Sequence, residues 1–140
     1  LGTVGAFLFR FAVRHKAMID VLAYCIALNI YFEARSEPLA GQFAVAEVTI
    51  RRARASGRNV CQEVFREQQF AWTREPRPVV RPSRAWDSAQ HVAALALTSN
   101  TDFSKGATHF HSGKPPAWAA RLCRTVVIGE HRFYRECAAS

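Results

Sequence analysis

What the chain lacks narrows its function early. None of its four cysteines, Cys25, Cys61, Cys123 and Cys137, forms a Cys-x-x-Cys pair, which argues against a zinc ribbon. They are also too few and too scattered for a disulfide-built scaffold. An even number permits two bridges in an oxidising compartment, and four reduced thiols are the other reading. Cys123 and Cys137 are the first pair to expect, because the segment between them reads as a hairpin. No His-Glu-x-x-His helix, helix-turn-helix, zinc-finger, RNP or KH signature is present, and neither repeats nor an internal linker occur. The apolar runs are short: Val4 to Val13 carries Arg10, and Met18 to Phe32 contains Asp20 and Asn29. Neither reaches the roughly 18 to 20 apolar residues that span a bilayer. No small-residue cleavage site follows the first run, and the sequence begins with Leu, so the export route is left open. Acidic residues are scarce as well, 11 against 19 Lys and Arg, and the resulting charge of +8 points to an acidic partner. Nucleic acid, an anionic membrane surface and the anionic polymers of a bacterial envelope all satisfy that charge.

What is present suits one globular domain over residues 1–140, since 49% of the residues are apolar and the length suffices for a core without metal. Residues 1–17, with Phe7, Leu8, Phe9 and Phe11 beside Arg10, Arg14 and Lys16, read as a basic arm on an anionic membrane or as a first helix. A helix is expected from about Ala17 to Ala34, apolar almost all round and therefore the central core helix. Pro38 suits the first turn of a second helix ending near Ser56-Gly57, with Arg51, Arg52 and Arg54 in its last turns. Asn59 to Gln62 reads as an amide capping box opening a short helix to about Glu67. Pro76, Pro78 and Pro82 make Gln69 to Arg81 an irregular loop, and Ser83 caps a further helix to about Asn100. The alternation Ala107 to His111 predicts a strand with His109 and His111 on one face. A turn and a short helix including Leu122 follow, and Val126 to Tyr134 predicts a closing hairpin around Gly129-Glu130.

The most informative stretch is Asn29-Ile30-Tyr31-Phe32-Glu33-Ala34-Arg35-Ser36-Glu37-Pro38. At about 100° per residue, Leu22, Ile26, Ile30 and Glu33 fall within roughly 80° of one another, so Glu33 continues an apolar stripe. Burial there makes the carboxyl hold its proton, which is the property a general acid needs. The plainer reading pairs Glu33 with a neighbour such as Arg35 at a helix end. If the reaction is cleavage of a glycosidic bond, a hydrolase also needs a second carboxylate, and Glu37, Asp87, Asp102 and Glu130 are all available. A lytic transglycosylase does not, because the C6 hydroxyl of its own substrate attacks. His109 and His111 with His131 and a carboxylate form a possible zinc set, which ranks behind structural or sugar-contacting roles for these histidines. Phe70, Trp72, Trp118 and Tyr134 offer faces for sugar rings, with Trp72 in the loop the first expected to touch ligand and Trp86 expected in the core.

Asn29 to Gln42 resembles the signature of the SleB-type cell-wall hydrolases, the family of the spore-cortex lytic enzyme. The pattern recurs at Ala44 to Val48 with Arg52, at Val60-Cys61, at Gln69 to Trp72, at Gly106 to His111, at Pro116 to Trp118 and at Ile128 to Arg135. The resemblance implies a lysozyme-like α+β fold, mainly helical with a small antiparallel sheet near the C-terminus. It further implies cleavage of the MurNAc-GlcNAc bond of peptidoglycan, in its best-known members by lytic transglycosylation, with Glu33 as the acid. Ser36 stands where Gly is usual and Ala71 where Ser is common. On this reading the substrate-binding set is Asn29, Arg35, Glu37, Gln69, Phe70, Trp72, His109, His111, Trp118 and Tyr134. No metal or other cofactor and no nucleic acid are expected, and the protein is expected to act as a monomer in the envelope, or on release from an infected cell if it resembles the phage endolysins of the family. A hydrolytic muramidase and a non-catalytic binder of peptidoglycan are the competing expectations.

Overall fold

A computed structural model describes residues 2–139. It is α+β: four α-helices followed by a three-stranded antiparallel sheet. Helix α1 spans Gly2–Ala34, α2 Leu39–Ser56, α3 Val60–Val64 and α4 Arg84–Thr98. Strands β1 (His109–Ser112), β2 (Cys123–Ile128) and β3 (His131–Arg135) follow, in sheet order β1-β3-β2. The expected hairpin is thus present as β2-β3, with Phe133 facing Val126 and Phe110 across the ladder.

Three expectations about the helices need correction. The first is the break near residue 17: α1 runs unbroken from Gly2, and the arm's Leu1 lies outside the described residues. Nothing in Val4 to Lys16 stops a helix, since the segment has no proline and one glycine. The second follows from the first. Fused into one element, the two apolar runs make a helix long and apolar enough, by length and composition, to cross a membrane. The third is how much of the first helix is core, since it is central only from Cys25 onward and shares that place with α2. Residues 3–18 of α1 are exposed, and burial begins in earnest at Cys25. Helix α2 instead carries a core on two sides. Its Ala46, Ile50 and Ala53 pack with Ile26, Ile30 and Tyr31 of α1 and Ala89, Val92 and Ala93 of α4. Its Ala44, Val45 and Val48 pack with Ala34 at the end of α1 and with Ala107 and Phe133 of the sheet side. Small residues on α2 allow that double approach.

The end signals are local and match their residues. The Asn59–Gln62 capping box is complete, with Gln62 N–H donating to Asn59 Oδ1 at 2.8 Å and Asn59 N–H to Gln62 Oε1 at 3.0 Å. Helix α3 stops at Val64, short of Glu67, and the segment around Leu122 is a 3-10 turn over Ala117–Arg121. Pro38 precedes α2 as its cap residue, not its first helical residue. Trp86 is packed edge-on between Tyr24 and Tyr31, as a core residue.

Both disulfides are formed. Cys123–Cys137 joins β2 to the C-terminal segment, and Cys25–Cys61 ties α1 to α3 across 36 residues. By the loop-entropy argument a cross-link of that span is worth about 3 to 4 kcal/mol. It fixes α1 at the point where the helix enters the core, two turns before Glu33.

Candidate active site

The end of α1, the loop Gln68 to Ala71 and strand β1 together enclose a cleft of about 460 Å³. It is lined by Glu33, Arg52, Gln69, Phe70, His109, His111 and Trp118, among others. Six of the expected site residues therefore meet at one place: Glu33, Gln69, Phe70, His109, His111 and Trp118.

Glu33 reaches the cleft one turn beyond Ile30, so the apolar stripe does end in a carboxyl. Burial raises its pKa above the usual carboxylate value, and no ion pair or hydrogen bond among the described residues offsets that shift. The negative end of α1, which stops at Ala34, acts in the same direction. The helix-end pairing with Arg35 does not form: the Arg35 guanidinium lies over the Tyr31 ring, 5.0 Å from its centroid, and borders a separate groove with Pro78 and Arg81.

The cleft's far wall is the β1-β3 face. Register puts His109, His111 and Tyr134 on one side of the sheet, with Phe110, Phe133 and His131 on the other. Trp118 sits against both cleft histidines, 5.1 Å from His109 and 5.7 Å from His111. His111 Nε2 and the Tyr134 hydroxyl are hydrogen-bonded at 2.9 Å, so Tyr134 holds His111 in the wall without itself lining the cleft. Burial lowers the pKa of His109, and the positive charge of Arg52 adds to that effect against the weaker pull of Glu136, which favours the neutral imidazole. His131 lies across the sheet, its ring 5.3 Å from Phe110, and does not join the other two as a ligand set.

Several residues named from sequence brace the cleft from outside. Asn29 is fully buried; its Nδ2 donates to Thr49 Oγ1 at 3.1 Å and its Oδ1 accepts from Trp72 Nε1 at 2.9 Å. The Trp72 ring stacks on Phe32 at 4.8 Å. Trp72 thus turns inward and pins the loop to α1 instead of facing the cleft, because an indole N–H half-buried beside an amide oxygen takes that partner. Glu37 accepts the Glu130 N–H at 3.1 Å and lies 3.4 Å from His131 Nδ1, which locks the β2-β3 turn to the α1–α2 junction. Gly129 in that turn has φ +56°, and a side chain there would collide with the Glu37 carboxylate. Of the other carboxylates available in sequence, Asp102 holds Arg51 at 3.4 Å and the Gly106 N–H at 2.8 Å. Asp87 lies in the first turn of α4 and Glu130 at the hairpin turn, and neither lines the cleft.

Two cleft features are invisible to helix and strand periodicity, although Gln69 belongs to the set that the family resemblance implies. Arg52 was read chiefly as a cation suited to the end of α2, yet it lines the cleft 5.7 Å from the Phe70 centroid. Gln69 brings a buried Oε1 with no partner among the described residues, an acceptor placed to take a donor from a bound molecule. Neither could have been found from periodicity, because both depend on how the loop folds back over α2.

The cell wall hydrolase family model matches residues 36–134, well over half of the chain. The chain belongs to that family, and cell wall peptidoglycan is its substrate class. The match begins three residues after Glu33, so the cleft's carboxyl stands just before the matched segment while the rest of its lining falls within it. No curated protein and no solved structure matches the chain.

Proposed function

We propose that the protein cleaves the MurNAc-GlcNAc β-1,4 bond of peptidoglycan as a lytic transglycosylase at the bacterial envelope, with Glu33 acting first as acid and then as base. The observation that carries this reading is that Glu33 is the sole carboxylate lining the cleft among the described residues. An inverting or retaining hydrolase positions a second carboxylate within roughly 5 to 9.5 Å of the acid, to activate water or attack the sugar. Here Glu37, Asp87, Asp102 and Glu130 all lie outside the lining. A transglycosylase has no such need. Protonated Glu33 donates its proton to the leaving glycosidic oxygen, and the carboxylate that remains takes the proton of the C6 hydroxyl as that oxygen closes onto C1 of the muramyl ring. One group so serves both steps, and the 1,6-anhydro product leaves with Glu33 protonated again. Trp118 offers an apolar face for a sugar ring, while Phe70 is buried in the cleft wall beside Arg52.

Digestion of purified sacculi by wild type and Glu33→Gln, with mass analysis of the muropeptides, tests this. Anhydro-muramyl ends from wild type alone are expected. Reducing muramic ends instead would make the enzyme a muramidase, and intact sacculi with both proteins would make it a binder.

A further inference from the structure

The carboxylate of Glu63 is fully buried, and three cations surround it. Arg66 Nη2 lies 2.9 Å away, Arg52 Nε 3.4 Å and Arg58 Nη1 4.0 Å, and the Ser56 hydroxyl donates at 3.4 Å. One negative charge among three guanidinium groups leaves an excess of two positive charges. Arg58 and Arg66 have side chains 40% and 38% exposed, so water screens them. Arg52 differs: its side chain is 20% exposed and borders the cleft that holds Glu33. Neutralising Glu63 does not require it, because Arg66 is closer.

We infer that Arg52 is an anion-binding residue of the cleft that receives a carboxylate carried by the glycan substrate; this rests on the assignment of the cleft to peptidoglycan. The guanidinium is already oriented, with Nε turned to Glu63 and its plane near the Phe70 ring. Its two terminal nitrogens donate to no protein acceptor among the described residues, and that edge of the fork matches a carboxylate. Holding the side chain from behind removes much of the rotamer entropy that binding otherwise costs. Peptidoglycan offers carboxylates from two sources, the lactyl group of an unsubstituted muramyl residue and the acids of the stem peptide. Either would meet the same fork, a few ångströms from the sugar face.

Binding measured in the Glu33→Gln background keeps the ligands intact. Three ligands are compared: glycan strands stripped of stem peptides, which expose the lactyl carboxylate; strands that retain their peptides; and uncharged chitooligosaccharides. Adding Arg52→Met should weaken at least one charged ligand by about tenfold to a hundredfold while leaving chitooligosaccharide affinity unchanged. Whichever charged ligand suffers more names the source of the carboxylate. Arg52→Lys keeps the charge but not the fork and should fall between. Because Arg52 also touches Glu63, a second measurement leaves Arg52 in place: acetate at constant ionic strength should compete with charged strands and not with chitooligosaccharides. Equal weakening of all three ligands by Arg52→Met, or none, together with no competition by acetate, would overturn the proposal while leaving the Glu33 reading intact. Failure of Glu33→Gln to bind any of the three overturns both.

Discussion

The cleft around Glu33 and the arginine cluster around Glu63 share Arg52 as a border, and the fold treats the two carboxylates in opposite ways. Glu63 is wholly buried but surrounded by three cations and a hydroxyl. Glu33 is less buried, yet no group among the described residues compensates it, and its pKa rises. Glu47 follows the Glu63 pattern: it is buried and accepts the backbone N–H groups of Phe103 and Ser104 at 3.0 and 2.8 Å, holding the loop before β1. A buried charge that is fully partnered organises the scaffold, whereas one left without partners costs stability and is retained for chemistry.

The largest expected effect sharpens this contrast. Glu33→Gln should lower turnover by about a thousandfold or more, as loss of a general acid-base does. It should not destabilise the fold. A carboxyl whose folded pKa is raised favours folding fully below its unfolded value, near 4.5, and loses that contribution as pH rises through the folded value. Wild type and Glu33→Gln should therefore unfold at similar denaturant concentrations near about pH 4, with the variant the more stable near about pH 8. The same proton sets the rate: kcat/KM should fall as pH rises through the folded value, so the alkaline limb assigned to Glu33 lies above the ordinary carboxylate range. A variant that is less stable at both pH values would place Glu33 with Glu63 among the structural carboxylates.

Glu63→Ala is the reverse case and the next in size. Removing it strands three arginines near one another, and the loss should be about 3 kcal/mol in urea unfolding, at the low end for broken buried pairs because Arg58 and Arg66 reach solvent. Glu63→Gln keeps the shape and one of the two acceptor oxygens and should lose less. An alanine variant as stable as wild type would show that the cluster contributes little and that Arg52 is not held by it.

What was legible in the sequence follows the same division. The buried place of Glu33 was legible because a helical stripe is a short-range pattern, as are the Asn59–Gln62 box, the Ser83 cap and the β2-β3 hairpin with its Cys123–Cys137 bridge. The roles of Asn29, Trp72 and Glu37 were not legible, because each is decided by a partner far along the chain: Thr49 for Asn29, Asn29 for Trp72, the Glu130 N–H for Glu37. A residue's type shows what it can bond to, and only the fold shows that the bond is already taken. Arg52 lies at the other extreme. Its place near a helix C-terminus gave it a sufficient structural reason in sequence, and that reason concealed a side chain aimed at the cleft. Helix α1 was cut in two for a related cause, since charged residues at Arg10, Arg14 and Lys16 interrupt an apolar run without interrupting a helix.

The smallest of the expected effects concerns the bridge between the two regions. Asn29 sits one turn before Glu33 and, through Trp72, fixes the loop that carries Gln69 and Phe70 into the cleft. Asn29→Ala leaves the Trp72 N–H without its acceptor in a half-buried site, while Thr49 retains the Val45 carbonyl at 3.0 Å. The cost should be about 1 to 2 kcal/mol of stability. If Asn29 only positions the loop, KM should rise severalfold, while the alkaline limb of the pH profile stays where Glu33 sets it. A direct part in proton transfer would instead move that limb or cut kcat at saturating substrate. Asn29→Asp separates the cases further, because it keeps an oxygen for Trp72 and adds a negative charge one helical turn from Glu33. That charge should push the Glu33 pKa higher still and carry the alkaline limb with it. A limb that stays in place in the aspartate variant would mean that Glu33 is not the group whose proton limits the rate.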